Sequence, residues 1–116
     1  MNNAIAEKSF AFAIRIVNLH RLLLSSGKKE FVLSKQLLRS GTAIGALVRE
    51  ALQAESRPDF IHKLSIALKE ANETEYWILL LRETNYLTAR ESQSILSDVT
   101  ELLKILTSII KTSKLQ

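Results

Sequence analysis

A chain of 116 residues, 47% of them hydrophobic and carrying a net charge of +4, can bury one core and has no room for a second domain. Three glycines, one proline and no cysteine exclude a turn-rich sheet protein, a disulfide framework and thiolate metal sites; they favour an all-α chain and suit a reducing cytoplasm. The longest apolar run, Tyr76 to Leu81, is far short of the roughly 20 residues that cross a bilayer, and Arg15 interrupts the N-terminal apolar stretch, so neither a membrane span nor a secretion signal is expected.

Phe12, Ile16, Leu19 and Leu23 recur at helical spacing and predict a first helix over residues 9–25. Ser25-Ser26-Gly27-Lys28-Lys29 should end it, because glycine accepts the left-handed conformation of a helix terminus and lysines suit the negative end of the helix dipole. A second helix is expected to start between Phe31 and Ser34 and to run to Glu55, with Leu37, Leu38, Ile44, Leu47, Val48 and Leu52 as its core face. Ser56-Arg57-Pro58-Asp59 reads as the capped start of a third helix over 57–83. Thr88-Ala89-Arg90-Glu91 is a capping box that opens a fourth, over 89–112.

Four long helices with short connections predict an antiparallel up-down four-helix bundle spanning residues 1–116 as one domain. Helix four places Ile95, Val99, Leu102, Leu106 and Ile109 on one stripe, and Leu96, Leu103 and Ile110 on a second. Helix one has a similar surplus in Phe10, Ile14, Val17 and Leu24. Surplus apolar faces either sink into their own bundle or meet another subunit; Phe10, Ile14, Val17, Leu96, Leu103 and Ile110 are the candidates for an oligomer interface.

Three segments carry a family resemblance. Ser40-Gly41-Thr42-Ala43-Ile44-Gly45-Ala46-Leu47-Val48-Arg49-Glu50-Ala51 is followed by Asp59-Phe60-Ile61-His62-Lys63-Leu64-Ser65-Ile66-Ala67-Leu68-Lys69-Glu70 and Glu73-Thr74-Glu75-Tyr76-Trp77. In this order they resemble the bacterial four-helix-bundle family whose members include proteins encoded in intervening sequences of 23S ribosomal RNA genes. Many members have Ser-Ile-x-x-Asn-Ile-Ala-Glu-Gly where this chain has Ala43 to Ala51, with Leu47 and Ala51 replacing the asparagine and the final glycine. The resemblance implies a ring-like homopentamer without enzymatic activity. It also implies kinship with the accessory variability protein of diversity-generating retroelements, which binds nucleic acid and a reverse transcriptase.

No catalytic or cofactor constellation stands out from the residues themselves. Gly41 and Gly45, four apart, share a helix face and each costs up to about 1 kcal/mol of helix propensity, so close helix packing is the expected compensation, with a ligand or partner contact as the alternative. Glu70 and Glu73 share a face, but neither His20 nor His62 follows a glutamate by three residues, and ion pairing of Glu50, Glu70 and Glu73 with Arg39 or Arg49, or simple solvation, is preferred to a metal site. Tyr76 and Trp77 are read as core or interface aromatics.

Charge is distributed unevenly. Residues 1–49 hold eight cations against Glu7 and Glu30, a balance of +6, whereas residues 50–116 hold eight cations against ten anions. Three readings are open: a nucleic-acid surface built from Arg15, Arg21, Lys28, Lys29, Lys35, Arg39 and Arg49, steering between subunits, or plain solvation. The expectation is a cytoplasmic, non-enzymatic scaffold, oligomeric and without cofactor or metal, that engages RNA or DNA non-specifically. The alternative is a protein-interaction module whose apolar helix faces dock a protein partner.

Overall fold

The computed structural model describes residues 4–25 and 27–116, so residues 1–3 and Ser26 of the helix-ending segment lie outside the described residues. Four helices, α1 (Ala4–Leu24), α2 (Val32–Leu52), α3 (Arg57–Glu83) and α4 (Ala89–Lys114), run up and down through a rod of 50 × 21 × 19 Å. Each helix packs on the next in sequence, and α4 closes back onto α1 along a sparser seam. Polar pairs bridge that seam: Lys8 to Glu101 at 3.2 Å and Arg15 to Asp98 at 2.5 Å.

The starts of α3 and α4 follow from local chemistry. The Ser56 Oγ accepts the Asp59 amide at 3.2 Å, and Asp59 returns a carboxylate oxygen to the Glu55 amide at 3.2 Å. Thr88 and Glu91 close the expected box, with the Glu91 amide donating to the Thr88 Oγ1 at 3.1 Å and the Thr88 amide donating to the Glu91 carboxylate at 2.8 Å. The Thr88 amide holds the Glu91 carboxyl below its usual value near 4.5, and the Lys28 charge adds to the effect. A lowered native pKa means that this contribution is complete above the unfolded value and is lost as pH falls through the native one. Glu91→Gln should therefore cost about 0.5 kcal/mol at neutral pH. Its urea midpoint should converge on that of the parent when pH falls below 4.5.

Three boundaries differ from expectation by two residues or more. Helix α2 ends at Leu52 rather than Glu55, where the Gln53 and Ala54 amides close tight turns onto the Glu50 and Ala51 carbonyls before Ser56 caps the next helix. Helix α1 starts at Ala4 rather than residue 9, because the buried stripe of Phe12, Ile16 and Leu23 extends back through Ser9 to Ile5. Helix α4 continues to Lys114. Ile110 is also reassigned: it is buried, 8% exposed, and belongs to the core with Ile95, Val99, Leu102 and Leu106, whereas Ile109 is half-buried. At 3.6 residues per turn the two isoleucines lie about 50° on either side of that stripe, so periodicity does not choose between them and packing does.

Helices α1 and α2 approach each other closely at two glycines. A Cβ built on Gly41 would lie 2.8 Å from the Ile16 Cγ1, and one on Gly45 would lie 3.2 Å from the Ser9 carbonyl oxygen of α1. The two glycines therefore serve helix packing, as their spacing suggested.

Candidate nucleic-acid interface

Antiparallel topology brings the α1–α2 turn and the α3–α4 turn to the same end of the rod. At that end lie Arg21 in the last turn of α1, Lys28 and Lys29 in the turn, Lys35 in α2, Arg82 at the end of α3 and Arg90 at the start of α4. Three acids share the end, and each has a local task. Glu30 caps α2, Glu91 caps α4, and Glu83 pairs with Arg82 at 2.9 Å. Arg21, Lys29, Lys35 and Arg90 form no ion pair among the described residues, and all four are exposed.

The conformation of this end is specified closely. Gly27 and Lys29 both adopt left-handed backbone, with φ of 79° and 48°. The Glu30 amide donates to the Leu23 carbonyl at 2.8 Å, which folds the turn back on α1. The Glu30 carboxylate, buried at 7% exposure, accepts the amides of Val32 at 3.1 Å, of Leu33, and of Ser34 at 3.3 Å. These amides have no partner within the helix, so one side chain satisfies most of the first turn of α2. The Lys28 Nζ donates to the Tyr86 carbonyl at 2.5 Å and ties the two turns together. The Ser34 Oγ lies 2.5 Å from the His20 Nδ1, a further link between α1 and α2.

The seven cations expected at a nucleic-acid surface do not form one patch. Arg21, Lys28, Lys29 and Lys35 gather at this end. Arg15 lies on the α1–α4 seam against Asp98, and its second nitrogen donates to the Ser94 Oγ at 2.9 Å. Arg39 is held by Glu73 and by Glu70 at 3.5 Å, as the ion-pair expectation had it. Arg49 sits about 21 Å along α2 from Lys35, at the rise of 1.5 Å per residue, and lines a groove of about 390 Å³ with Phe10, Ala13, Thr42, Gly45 and Leu52. Glu50 pairs with Lys63 at 3.0 Å, not with Arg49. Arg82 and Arg90 were not among the expected cations, although the up-down topology alone would have placed both beside the α1–α2 turn.

The aromatic pair of α3 is divided. Trp77 packs partly against the core and its indole N–H donates to Glu73 at 3.0 Å, whereas Tyr76 is exposed and meets the Trp77 ring edge-on at 5.1 Å. The Trp77 hydrogen bond, followed by Arg39, holds the Glu73 carboxyl below its usual range. Of the proposed interface side chains, Phe10 and Ile14 are 61% and 50% exposed, while Val17, Leu96 and Leu103 are half-buried. Among the described residues, no helix is long and apolar enough to cross a membrane.

Nothing among curated proteins matches this chain. Among solved structures, a protein with unknown function from the S23 ribosomal protein family of Bacteroides thetaiotaomicron VPI-5482 is 61% identical. The match covers 92% of this chain and 98% of that one, with a TM-score of 0.90. The family model described as 23S rRNA-intervening sequence protein matches residues 1–108, nearly the whole bundle. The four-helix chain with this basic end therefore belongs to the 23S rRNA-intervening sequence protein family.

Proposed function

We propose that the protein is a non-enzymatic, oligomeric scaffold that engages RNA or DNA through the phosphate backbone. One observation carries this reading: the unpaired cations Arg21, Lys29, Lys35 and Arg90 are exposed at one end of the rod, where the neighbouring acids are already committed to caps or an ion pair. A surface of point charges without a base-reading motif recognises phosphate and not sequence. The absence of cysteine suits a reducing cytoplasm.

Affinity for a mixed-sequence oligonucleotide should fall steeply with salt, with a log–log slope of about −2 to −4, as expected when a few phosphates are neutralised. Reversal of Arg21, Lys29 and Lys35 to Glu should reduce affinity about tenfold or more and flatten that slope. Reversal of Lys104 and Lys111, on the distal half of α4, should change it little. Equal affinity in the first variant, measured by fluorescence anisotropy, would refute the reading.

Assembly as a homopentamer is part of the proposal, supported by the exposure of Phe10 and Ile14 on α1. Light scattering behind a sizing column should give five copies of 13.1 kDa, about 65 kDa. A 13.1 kDa species would exclude it. A second reading, docking of a protein partner, rests on the groove between α1 and α2 beside Phe10. It would be favoured by a partner retained after nuclease treatment and lost in Phe10→Glu.

A further inference from the structure

Phe31 and Val32 are large apolar side chains left in solvent at the basic end, 58% and 73% exposed. Phe12, by contrast, is 2% exposed in the core. The position of Phe31 is not that of a loose loop residue. The residue before it is pinned on both sides, by its amide to Leu23 and by its carboxylate to the α2 amides. Its own carbonyl accepts the Lys35 amide at 3.1 Å, so Phe31 and Lys35 stand one helical turn apart on the same face. Lys29 precedes it by two residues, and Arg21 lies in the last turn of α1, to which the turn folds back.

The ring is thus presented on a fixed backbone with exposed cations before and after it. The start of α2 offers an anion little, because Glu30 already takes the amides of Val32, Leu33 and Ser34. Phosphates would fall to the side-chain cations, and the ring is left for a flat apolar group. An unpaired nucleic-acid strand supplies both, as bases splayed from the backbone stack on aromatic rings while phosphates follow a basic surface. A duplex keeps its base faces within its own stack and would leave Phe31 without a partner.

We propose that Phe31 is a base-stacking platform for single-stranded nucleic acid, with Lys29, Lys35 and Arg21 holding the flanking phosphates. This rests on the nucleic-acid reading above and adds the class of strand. The experiment compares a labelled oligothymidine of about 20 nucleotides, longer than one such site, with a duplex of the same length. Phe31→Ala should weaken oligothymidine binding about tenfold and leave duplex binding and the urea midpoint unchanged. Phe31→Trp should retain binding and show emission quenched by the strand, beyond any change seen with the parent. If Phe31→Ala matches the parent on oligothymidine while the charge reversals weaken both probes, the stacking platform is refuted and the phosphate surface stands. If the parent binds neither probe, both fall. If Phe31→Ala abolishes flotation with phosphatidylserine vesicles and leaves oligothymidine binding intact, the patch is a lipid-facing wedge and the proposal is overturned.

Discussion

The Gly41→Leu variant is expected to yield an unfolded or aggregated chain, and Gly41→Ala to lose about 1–3 kcal/mol in urea denaturation. Helix propensity alone predicts the opposite sign for alanine, a gain of up to about 1 kcal/mol. The decision lies with Ile16. A Cβ at position 41 would stand 2.8 Å from its Cγ1 and 2.9 Å from its Cγ2, the two branches at the Ile16 Cβ. Rotation about χ1 replaces one branch with the other, and a β-branched side chain in a helix has one strongly preferred rotamer. Ile16 is fully buried, so its neighbours cannot give way to solvent. Relief would require α1 to move away, opening the contact in which the Ser9 carbonyl approaches Gly45. A double-mutant cycle tests the cause: Gly41→Ala with Ile16→Ala should be less destabilised than the sum of the two single variants, by about 1 kcal/mol or more. An alanine variant more stable than the parent would show that propensity outweighs close packing here.

The same pair of residues shows what was legible before the structure. The spacing of Gly41 and Gly45 pointed to a close helix approach because the signal is local and the propensity cost demands compensation. Which helix approached, and with Ile16 and Ser9 at the contact, depends on register between α1 and α2, which no local signal carries. The starts of α3 and α4 were readable because Ser56 and Thr88 are short side chains that reach only their own helix amides. The start of α1 was misplaced because a stripe read from Phe12 onward stops at the polar Ser9, while Ser9 is buried beneath the glycine face of α2 and Ile5 carries the stripe one turn further. Cations divide in the same way. Lys28, Lys29 and Lys35 are close in sequence and remain close in space. Arg15 and Arg39 are committed to acids 83 and 34 residues away, a matter of bundle geometry.

Glu30→Ala is expected to destabilise the protein by about 2–4 kcal/mol, more than the usual loss of about 1 kcal/mol for a helix cap. An ordinary cap satisfies one or two exposed amides, which water replaces when the side chain is removed. The Glu30 carboxylate serves three, on Val32, Leu33 and Ser34, and both Glu30 and Ser34 are buried, so water reaches the vacated Ser34 amide poorly. The lost charge also stood at the positive end of the α2 dipole. Amide hydrogen exchange should accelerate first over residues 32–34, before any change at the Ser56 end of the bundle. Glu30→Gln keeps one oxygen acceptor and should fall between the parent and the alanine variant. It also removes one negative charge from the basic end, so its affinity for oligonucleotides should hold or rise while its urea midpoint falls. Opposite movement of stability and binding would separate the two tasks of this turn: Glu30 holds the backbone in place, and Arg21, Lys29 and Lys35 provide the charge. A parallel loss of both would instead mean that the basic surface exists only while the α2 cap is intact.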